Sequence, residues 1–285
     1  MTAVALVGAG LMGTGLARLF TSMGMSVAIY DANPAALDAL VATVPDARAA
    51  TSLTDAVAQA DLVIEAVSER LELKQSIFAE LAEATGTDTI LATNSSVIAV
   101  GAITAKLDDV TAARCVGTHF WNPPDLIPLV EVIEGPRTAA ATIATAMSIM
   151  TAAGKEPVHV LRDTVPGNRL QHALWREAIA LVEEGVCGPE DVDRLVKRSF
   201  GLRLPVLGPL ENADLVGLEL TKAIHTVVLP SLSRTTTASP ILSERIASGA
   251  TGVAAGRGLY ENWTDKDVRA VRERLADHLA KMLDR

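Results

Sequence analysis

Short apolar runs alternate with amphipathic helical patterns along the first half of the chain. Continuous apolar runs predict buried strands, whereas apolar positions three and four residues apart predict helices. Strands are predicted at residues 4–7, 27–30, 62–67, 90–93, 115–120, 129–133 and 158–161. Helices are predicted at residues 11–23, from residue 33, from residue 52, around residues 71–81 and at residues 138–153. This alternation is typical of a parallel sheet with crossover helices.

The pattern changes near residues 163–167, beyond which strand-like runs give way to long helical patterns such as residues 170–184 and 215–229. The predicted fold class is therefore α/β. We expect a Rossmann-type doubly wound parallel sheet at residues 1–163 and a second, smaller all-α domain at residues 164–285. This second domain is expected to bind substrate and to form a homodimer, because its helices carry more apolar surface than one small domain can bury.

Composition and charge exclude several classes of protein. The chain has 285 residues, of which 49% are hydrophobic, and this is enough to form two domain cores. No apolar run approaches the roughly 18 residues of a membrane span, and the first ten residues lack the basic segment of a signal peptide. We therefore expect a cytoplasmic protein without a membrane partner. The formal net charge of −9 disfavours nucleic acid, and Cys115 and Cys187 form no CxxC pair, so no metal site is expected.

A glycine-rich segment lies directly between the first predicted strand and the first predicted helix. It consists of Gly8, Ala9, Gly10, Leu11, Met12 and Gly13, a GxGxxG motif. In this context the first glycine permits a tight turn, the second lets backbone approach a pyrophosphate, and the third lets helix and strand pack closely. The helix N-terminus adds partial positive charge. The segment predicts a dinucleotide site, and the alternative is a tight turn without a ligand.

An acidic residue after the second predicted strand indicates which dinucleotide binds. Asp31 follows residues 27–30 directly. A carboxylate at this position can accept hydrogen bonds from both ribose hydroxyls of adenosine, and it repels a 2′-phosphate. Residues 32–34 supply no arginine to hold such a phosphate. The predicted cofactor is therefore NAD rather than NADP, and the alternative is that Asp31 is an ordinary surface carboxylate.

A histidine and a glutamate on two predicted strands form the candidate catalytic pair. His119 lies near the end of the strand at residues 115–120, so we expect it at the carboxyl edge of the sheet. Oxidation of an alcohol by hydride transfer needs a base for the hydroxyl proton, and an imidazole titrates in the right range. Glu131 interrupts the apolar run at residues 129–133, where a carboxylate needs a partner such as an imidazole nitrogen. The alternatives are a core histidine and a glutamate on an exposed edge.

Segments spread over nearly the whole chain resemble the 3-hydroxyacyl-CoA dehydrogenase family. The matching segments are residues 8–15, 65–69, 92–96, 119–123, 129–133, 168–169, 184–185, 208–209 and 256–260, together with Lys74. The spacing of His119 and Glu131 is also that of the family's catalytic pair. The resemblance implies an oxidoreductase of fatty acid metabolism that transfers a hydride from the 3-hydroxyl of a hydroxy acid or hydroxyacyl-CoA to NAD and leaves a 3-oxo product.

The resemblance also implies roles for individual residues. His119 would be the general base, and Glu131 the carboxylate that orients it. Ser96 and Asn168 would be the hydrogen-bond partners of the substrate oxygen. The alternative for Ser96 is a structural role at the end of a strand.

Four more residues would line the nicotinamide end of the cofactor by this resemblance. They are Glu69, Lys74, Asn94 and Asn122. The alternative for Asn94 is again a strand end. The alternative for Glu69 and Lys74 is a solvated helix face.

Departures from the family leave the substrate open. Residues 32–61 contain a single basic residue, Arg48, where the hydroxyacyl-CoA enzymes have a long helical excursion that contacts CoA. Residues 165–169 are shortened by about two residues against the family pattern, which affects the placement of Asn168. A small CoA-free hydroxy acid is therefore an alternative substrate, since residues 121–128 and 168–171 are similar to L-gulonate 3-dehydrogenase and lambda-crystallin. An aromatic alcohol is another, since relatives that oxidise a hydroxymethyl or aldehyde group on a pyridine carboxylate share this turn.

Two other functions are weighed against this one. The first is a non-catalytic NAD-binding protein with a structural or sensory role, which the set of candidate catalytic residues disfavours. The second is a decarboxylating hydroxyacid dehydrogenase with a catalytic lysine in the second domain. Residues 170–184 contain no lysine, so this function is also disfavoured.

Overall fold

The computed structural model describes residues 2–282, and the chain divides into two compact units. The first unit ends at Asn168 and the second begins at Arg169. The first is built on one eight-stranded sheet. Its strands are β1 (Ala3–Val7), β2 (Ser26–Tyr30), β3 (Arg48–Ala49), β4 (Leu62–Glu65), β5 (Ile90–Thr93), β6 (Cys115–Phe120), β7 (Leu129–Ile133) and β8 (Glu156–Val160).

The strand order shows where a ligand can bind. Across the sheet the order is β3-β2-β1-β4-β5-β6-β7-β8. The chain thus winds outward from β1 in one direction and then from β4 in the other, which confirms the predicted doubly wound α/β fold. The switch point between β1 and β4 opens a crevice at the carboxyl ends of these strands.

The last two strands are the exception to the predicted parallel sheet. β7 pairs antiparallel with β6, and β8 pairs parallel with β7. The connection from β6 to β7 is only residues 121–128. A parallel pairing would need a crossover of a dozen or more residues, so this connection requires the antiparallel arrangement. As a consequence, His119 on β6 lies directly opposite Glu131 on β7.

Helices cover both faces of the sheet. They are α1 (Leu11–Ser22), α2 (Pro34–Thr43), α3 (Leu53–Val57), α4 (Leu71–Ala84), α5 (Val100–Ile103), α6 (Asp109–Ala113) and α7 (Ala140–Ala152). Phe20 of α1 and Met150 of α7 belong to one apolar cluster, whereas Phe78 of α4 and Ile103 of α5 belong to the other. A sheet that is buried on both faces explains why its strands read as continuous apolar runs. The sequence did not predict β3, α5 and α6, because they are too short to show a period.

Two local interactions differ from the expected ones. The strand predicted at residues 62–67 ends at Glu65, because the Glu65 carboxylate accepts the Val67 N–H at 2.7 Å and the chain turns there. Ser52 and Asp55, three residues apart, match the sequence pattern of a capping box. Ser52 caps α3 by accepting the N–H of Asp55 at 3.1 Å. The Asp55 carboxylate, however, binds Arg48 at 3.0 Å and does not close the box.

The second unit is helical over its described residues. α8 (Pro166–Glu183) leads into it, followed by α9 (Pro189–Arg198), α10 (Pro209–Val216), α11 (Leu218–Val228), α12 (Pro240–Ala247) and α13 (Asp265–Met282). The single helix expected at residues 215–229 is wrong, because Gly217 divides it with a φ of +98° that favours glycine. Among residues 2–282, no helix has both the length and the apolar character that crossing a membrane requires.

Candidate active site

The glycine-rich segment forms the turn between β1 and α1, at the switch point of the sheet. Gly8 has a φ of +111°, and a Cβ there would lie 2.7 Å from the carbonyl oxygen of Ala66 on the loop after β4. A Cβ at Gly13 would collide with the carbonyl oxygen of Gly8. The turn and the close packing of α1 on β1 therefore require both glycines.

Gly10 differs from these two glycines, because the fold itself does not require it. Its φ of −73° is open to any residue, and a Cβ there would meet nothing within 4 Å. This open space lies at the N-terminus of α1, where Leu11 and Met12 begin the helix and the first amide hydrogens have no partner inside it. A side chain would fill the space that a pyrophosphate needs, so the turn fits NAD.

Asp31 follows β2 and holds the glycine-rich turn in place. Its Oδ2 accepts the N–H of Ala9 and its Oδ1 accepts the N–H of Asn33, both at 2.7 Å. A carboxylate has about four lone-pair positions, so two remain for the hydroxyls of a ribose. Asp31 thus holds the glycine-rich turn in shape, and its contact with a ribose stays a prediction.

His119 and Glu131 face each other across β6 and β7. Nδ1 of His119 lies 2.7 Å from Oε2 of Glu131, and the two residues are 4% and 2% exposed. A carboxylate only accepts hydrogen bonds, so Nδ1 carries the hydrogen and Nε2 of the neutral ring keeps its lone pair. The contact expected between these two residues is therefore present, and it leaves Nε2 able to accept a proton.

The Glu131 carboxylate has a second donor, the backbone N–H of Gly167, which lies 2.9 Å from Oε1. Burial alone would raise the pKa of Glu131, but the hydrogen bonds from His119 and Gly167 outweigh it and keep this pKa below its ordinary value of 4.5. The indole of Trp121 lowers the pKa further, although its N–H has no hydrogen bond of ordinary geometry within residues 2–282. Glu131 therefore remains ionised at neutral pH.

Ser96 and Asn168 lie together, as their predicted common role requires. Nδ2 of Asn168 donates to the carbonyl oxygen of Ser96 at 2.8 Å, so the shortened segment before Asn168 does not keep it from this position. The Ser96 N–H in turn donates to Oε1 of Glu69 at 2.7 Å. These three residues form one chain of hydrogen bonds, which links the loops after β4 and β5 to the first turn of α8.

The two asparagines predicted near the nicotinamide have different surroundings. Asn94 is buried at the end of β5, and its Oδ1 accepts the N–H of Phe120 at 2.9 Å. This contact gives Asn94 a structural role that ties β5 to β6 next to His119. Asn122 is exposed in the turn after β6 and precedes a cis peptide bond to Pro123. A cofactor contact stays a prediction for both residues.

Lys74 does not lie on a solvated helix face, so that alternative is wrong for it. The residue is 1% exposed, and its Nζ lies 2.7 Å from Oε1 of the fully buried Glu65. The Glu65 Oε2 accepts the hydroxyl of Thr93 at 2.8 Å. The more exposed Glu69 lies 3.7 Å from Lys74 and carries the hydrogen bond from Ser96. A buried ion pair thus supports the loops that hold the candidate site.

The sequence analysis did not identify three residues of this region: Glu65, Trp121 and Gly167. A signal existed for Glu65, because Lys74 shares one face of α4 with Ile77, Phe78 and Leu81. A lysine on an apolar face indicates a buried anionic partner. No pattern pointed to Gly167, because its contact is made by the backbone.

Two protein-family models match this chain. The model of the 3-hydroxyacyl-CoA dehydrogenase NAD binding domain matches residues 3–50 and 39–164. The model of the 3-hydroxyacyl-CoA dehydrogenase C-terminal domain matches residues 166–262. Together the two matches cover most of the chain.

Individual relatives agree with these matches. A 5-formyl-3-hydroxy-2-methylpyridine 4-carboxylate 5-dehydrogenase of Mesorhizobium japonicum is 35% identical over 97% of this chain and 95% of its own length. The crystal structure of a 5-formyl-3-hydroxy-2-methylpyridine 4-carboxylic acid 5-dehydrogenase, an NAD+-dependent dismutase, superposes with a TM-score of 0.92 at 31% identity. The superposition covers 99% of this chain and 97% of that structure. A 3-hydroxyacyl-CoA dehydrogenase structure from Archaeoglobus fulgidus has a TM-score of 0.75 at 32% identity, covering 100% and 99%.

Proposed function

This chain belongs to the 3-hydroxyacyl-CoA dehydrogenase family and is an NAD-dependent dehydrogenase. From this premise we propose that His119 is the general base that takes the hydroxyl proton during the NAD-dependent oxidation of a hydroxy acid. The observation that carries this proposal is the buried pair of His119 and Glu131. His119 lies near the carboxyl end of β6, at the sheet edge that also bears the glycine-rich turn, and Glu131 lies opposite it on β7.

In this proposal the hydroxyl proton and the hydride leave the substrate separately. Residues of the chain accept the proton, and NAD, when bound, supplies the hydride acceptor. Nε2 of His119 takes the hydroxyl proton, and the ionised Glu131 stabilises the imidazolium that forms. Burial of both residues keeps water from competing for that proton. The product is the corresponding oxo compound.

The remaining candidate residues hold the reactants. Ser96 and Asn168 would bind the substrate oxygen, and their direct contact supports this shared role. The pyrophosphate would lie over Gly10, and the ribose hydroxyls at Asp31. Four residues would lie at the nicotinamide end: Glu69, Lys74, Asn94 and Asn122. Lys74 is buried, so its role there would be to support the neighbouring loops through its ion pair with Glu65.

For the substrate we propose a small hydroxy acid or aromatic alcohol that carries no CoA. Arg48, the single basic residue between β2 and β4, donates to both carboxylate oxygens of Asp55 at 3.0 Å. The Arg48 guanidinium is already paired with this carboxylate. The segment between β2 and β4 therefore has no other basic side chain to bind the phosphates of CoA. The backbone also superposes better on the pyridine carboxylate enzyme than on the hydroxyacyl-CoA enzyme, with TM-scores of 0.92 and 0.75.

Initial rates with purified protein test both parts of the proposal. The panel contains small free 3-hydroxy acids, pyridine carboxylates with a hydroxymethyl or formyl group, and acetoacetyl-CoA with NADH, each compared with the NADP cofactors. We expect turnover of a CoA-free compound and a preference for NAD of at least about tenfold. Turnover of the CoA thioester alone would contradict the proposed substrate. NAD binding without any turnover would instead support a structural or sensory protein.

We also propose that the second unit forms a homodimer. Its helices α10 and α11 expose large apolar side chains, among them Leu210, Leu215, Leu218 and Val227. Exposure of so many large apolar side chains is costly in water unless a second copy covers them. Sedimentation equilibrium should give twice the chain mass, and a monomer at micromolar concentration would contradict this proposal.

A further inference from the structure

We infer that Gly167 is a positioning residue for the catalytic pair, which it serves through its backbone N–H and through its lack of a side chain. The N–H holds Glu131, and the missing side chain makes room for Trp121 beside His119. This inference rests on the roles proposed above for His119 and Glu131, and it adds a residue that the glycine-rich turn and the catalytic pair do not include.

The hydrogen bond of Gly167 completes the surroundings of the carboxylate. Gly167 is the second residue of α8, so its N–H is one of the four that find no partner inside the helix. It donates to Oε1 of Glu131 at 2.9 Å, while Nδ1 of His119 lies 2.7 Å from Oε2. Each carboxylate oxygen thus has its own donor, and the plane of the carboxylate is fixed relative to the imidazole.

The need for glycine at position 167 comes from space and not from backbone conformation. Gly167 does not belong to the glycines with a positive φ. A Cβ at this position would lie 2.5 Å from Cζ2 of Trp121 and 3.3 and 3.4 Å from the two carboxylate oxygens of Glu131. The first distance is shorter than real contacts allow, so any side chain would displace the indole or the first turn of α8.

Trp121 transmits such a displacement to the catalytic imidazole. Its ring lies edge-on to that of His119, with centroids 5.5 Å apart and an interplanar angle of 65°. The same indole packs against the backbone of Gly167. Gly167 therefore contacts Glu131 directly and supports His119 through Trp121, so it positions both members of the pair.

A change at Gly167 has a definite electrostatic consequence for Glu131. Burial raises the pKa of Glu131, and the hydrogen bonds from His119 and from the Gly167 N–H lower it. When the N–H of Gly167 is moved away, one of these donors is lost, so the pKa of Glu131 rises towards its ordinary value of 4.5. Displacement of His119 through Trp121 acts in the same direction, because it weakens the second donor.

An NMR titration of the glutamate carboxyl groups tests this consequence without using activity. The sample is the full chain with isotope-labelled glutamate carboxyl carbons, and the Glu131 signal is assigned from a Glu131→Gln variant. In Gly167→Ala the midpoint of the Glu131 titration should rise by about half a pH unit or more. Gly86→Ala is the matched control, because a Cβ at Gly86 meets nothing within 4 Å, and its Glu131 midpoint should not move. An unchanged Glu131 midpoint in Gly167→Ala would overturn the inference.

A double-mutant cycle with Trp121 tests the steric part. Gly167→Ala should lower kcat/KM about tenfold in the native chain, but less than about threefold when Trp121→Ala has removed the indole. If Gly167→Ala alone folds poorly, Trp121→Ala should restore folding of the double variant. Equal losses in the two backgrounds would overturn the steric argument, as would an equal rise of the Glu131 midpoint in both. Absence of turnover in the native chain would count against the proposed function instead, since the titration does not depend on it.

Discussion

The two units of the chain differ in what they bury. The first unit buries ionised and polar side chains inside its apolar core, including Glu65, Lys74 and Glu131. In the second unit, the buried hydrophobic residues among those described are Val192 and Ala250, while many large apolar side chains are exposed. The first unit thus holds its candidate chemistry by internal polar contacts, whereas the second unit leaves large apolar side chains exposed, as the proposed homodimer requires.

The strongest test of this contrast is the removal of the imidazole from the first unit. His119→Ala should lower turnover by about 10²–10⁴-fold, because the hydroxyl proton then has no base. The glycine-rich turn and Asp31 are untouched, so the Kd for NAD should change by less than about threefold. Stopped-flow rates and calorimetric titration measure the two quantities. Parallel losses of binding and turnover would mean that His119 has a structural role.

The buried ion pair of the first unit gives the next largest effect. Lys74→Met should lower the free energy of unfolding by about 3–5 kcal/mol, because it leaves the carboxylate of Glu65 buried without its cation. Denaturation in urea measures this change. Glu65→Gln combined with Lys74→Met should recover part of the loss, since no charge is then left unpaired. A loss below about 1 kcal/mol for Lys74→Met would show that the pair is not buried as described.

The pH dependence of stability reports on Glu131. Its pKa is lowered in the folded protein, so the ionised carboxylate stabilises the fold above its ordinary pKa of 4.5, and this contribution is lost as the pH falls through the folded value. The stability difference between the native chain and Glu131→Gln should therefore be full at pH 7 and should shrink below pH 4.5. A difference that does not change between these pH values would contradict the assignment.

A surface ion pair in the second unit should give the smallest effect. Nζ of Lys197 lies 3.1 Å from Oδ2 of Asp193 on α9, and these side chains are 69% and 47% exposed. Lys197→Met should change the free energy of unfolding by at most about 0.5 kcal/mol, because water screens the pair. This variant is the matched control for Lys74→Met. A loss of similar size at both lysines would remove the contrast between the two units.

The sequence predicted those parts of the fold that depend on period and turn chemistry. Apolar-rich runs predicted β6 and β7 with their observed bounds, and the glycine motif predicted the turn at Gly10. The short β3 was missed, since two residues carry no period. The division of a predicted helix at Gly217 was also missed, because one glycine inside an apolar pattern does not reveal its φ.

The candidate site was predictable where side chains make the contacts. A glutamate inside an apolar strand needed a partner, and this argument led from Glu131 to His119. The role of Gly167 was not predictable, because it depends on a backbone N–H and on the distance to Trp121, and neither has a sequence pattern. The antiparallel register that brings His119 opposite Glu131 became evident only with the pairing of β6 and β7.

The most direct test of the central claim is a crystal structure of the protein with NAD bound. The account predicts that the pyrophosphate lies over Gly10, that the adenosine ribose contacts Asp31, and that the nicotinamide ring lies on the side of Nε2 of His119 with the bond to Glu131 intact. A nicotinamide ring remote from His119, or a His119 turned away from Glu131, would contradict the account.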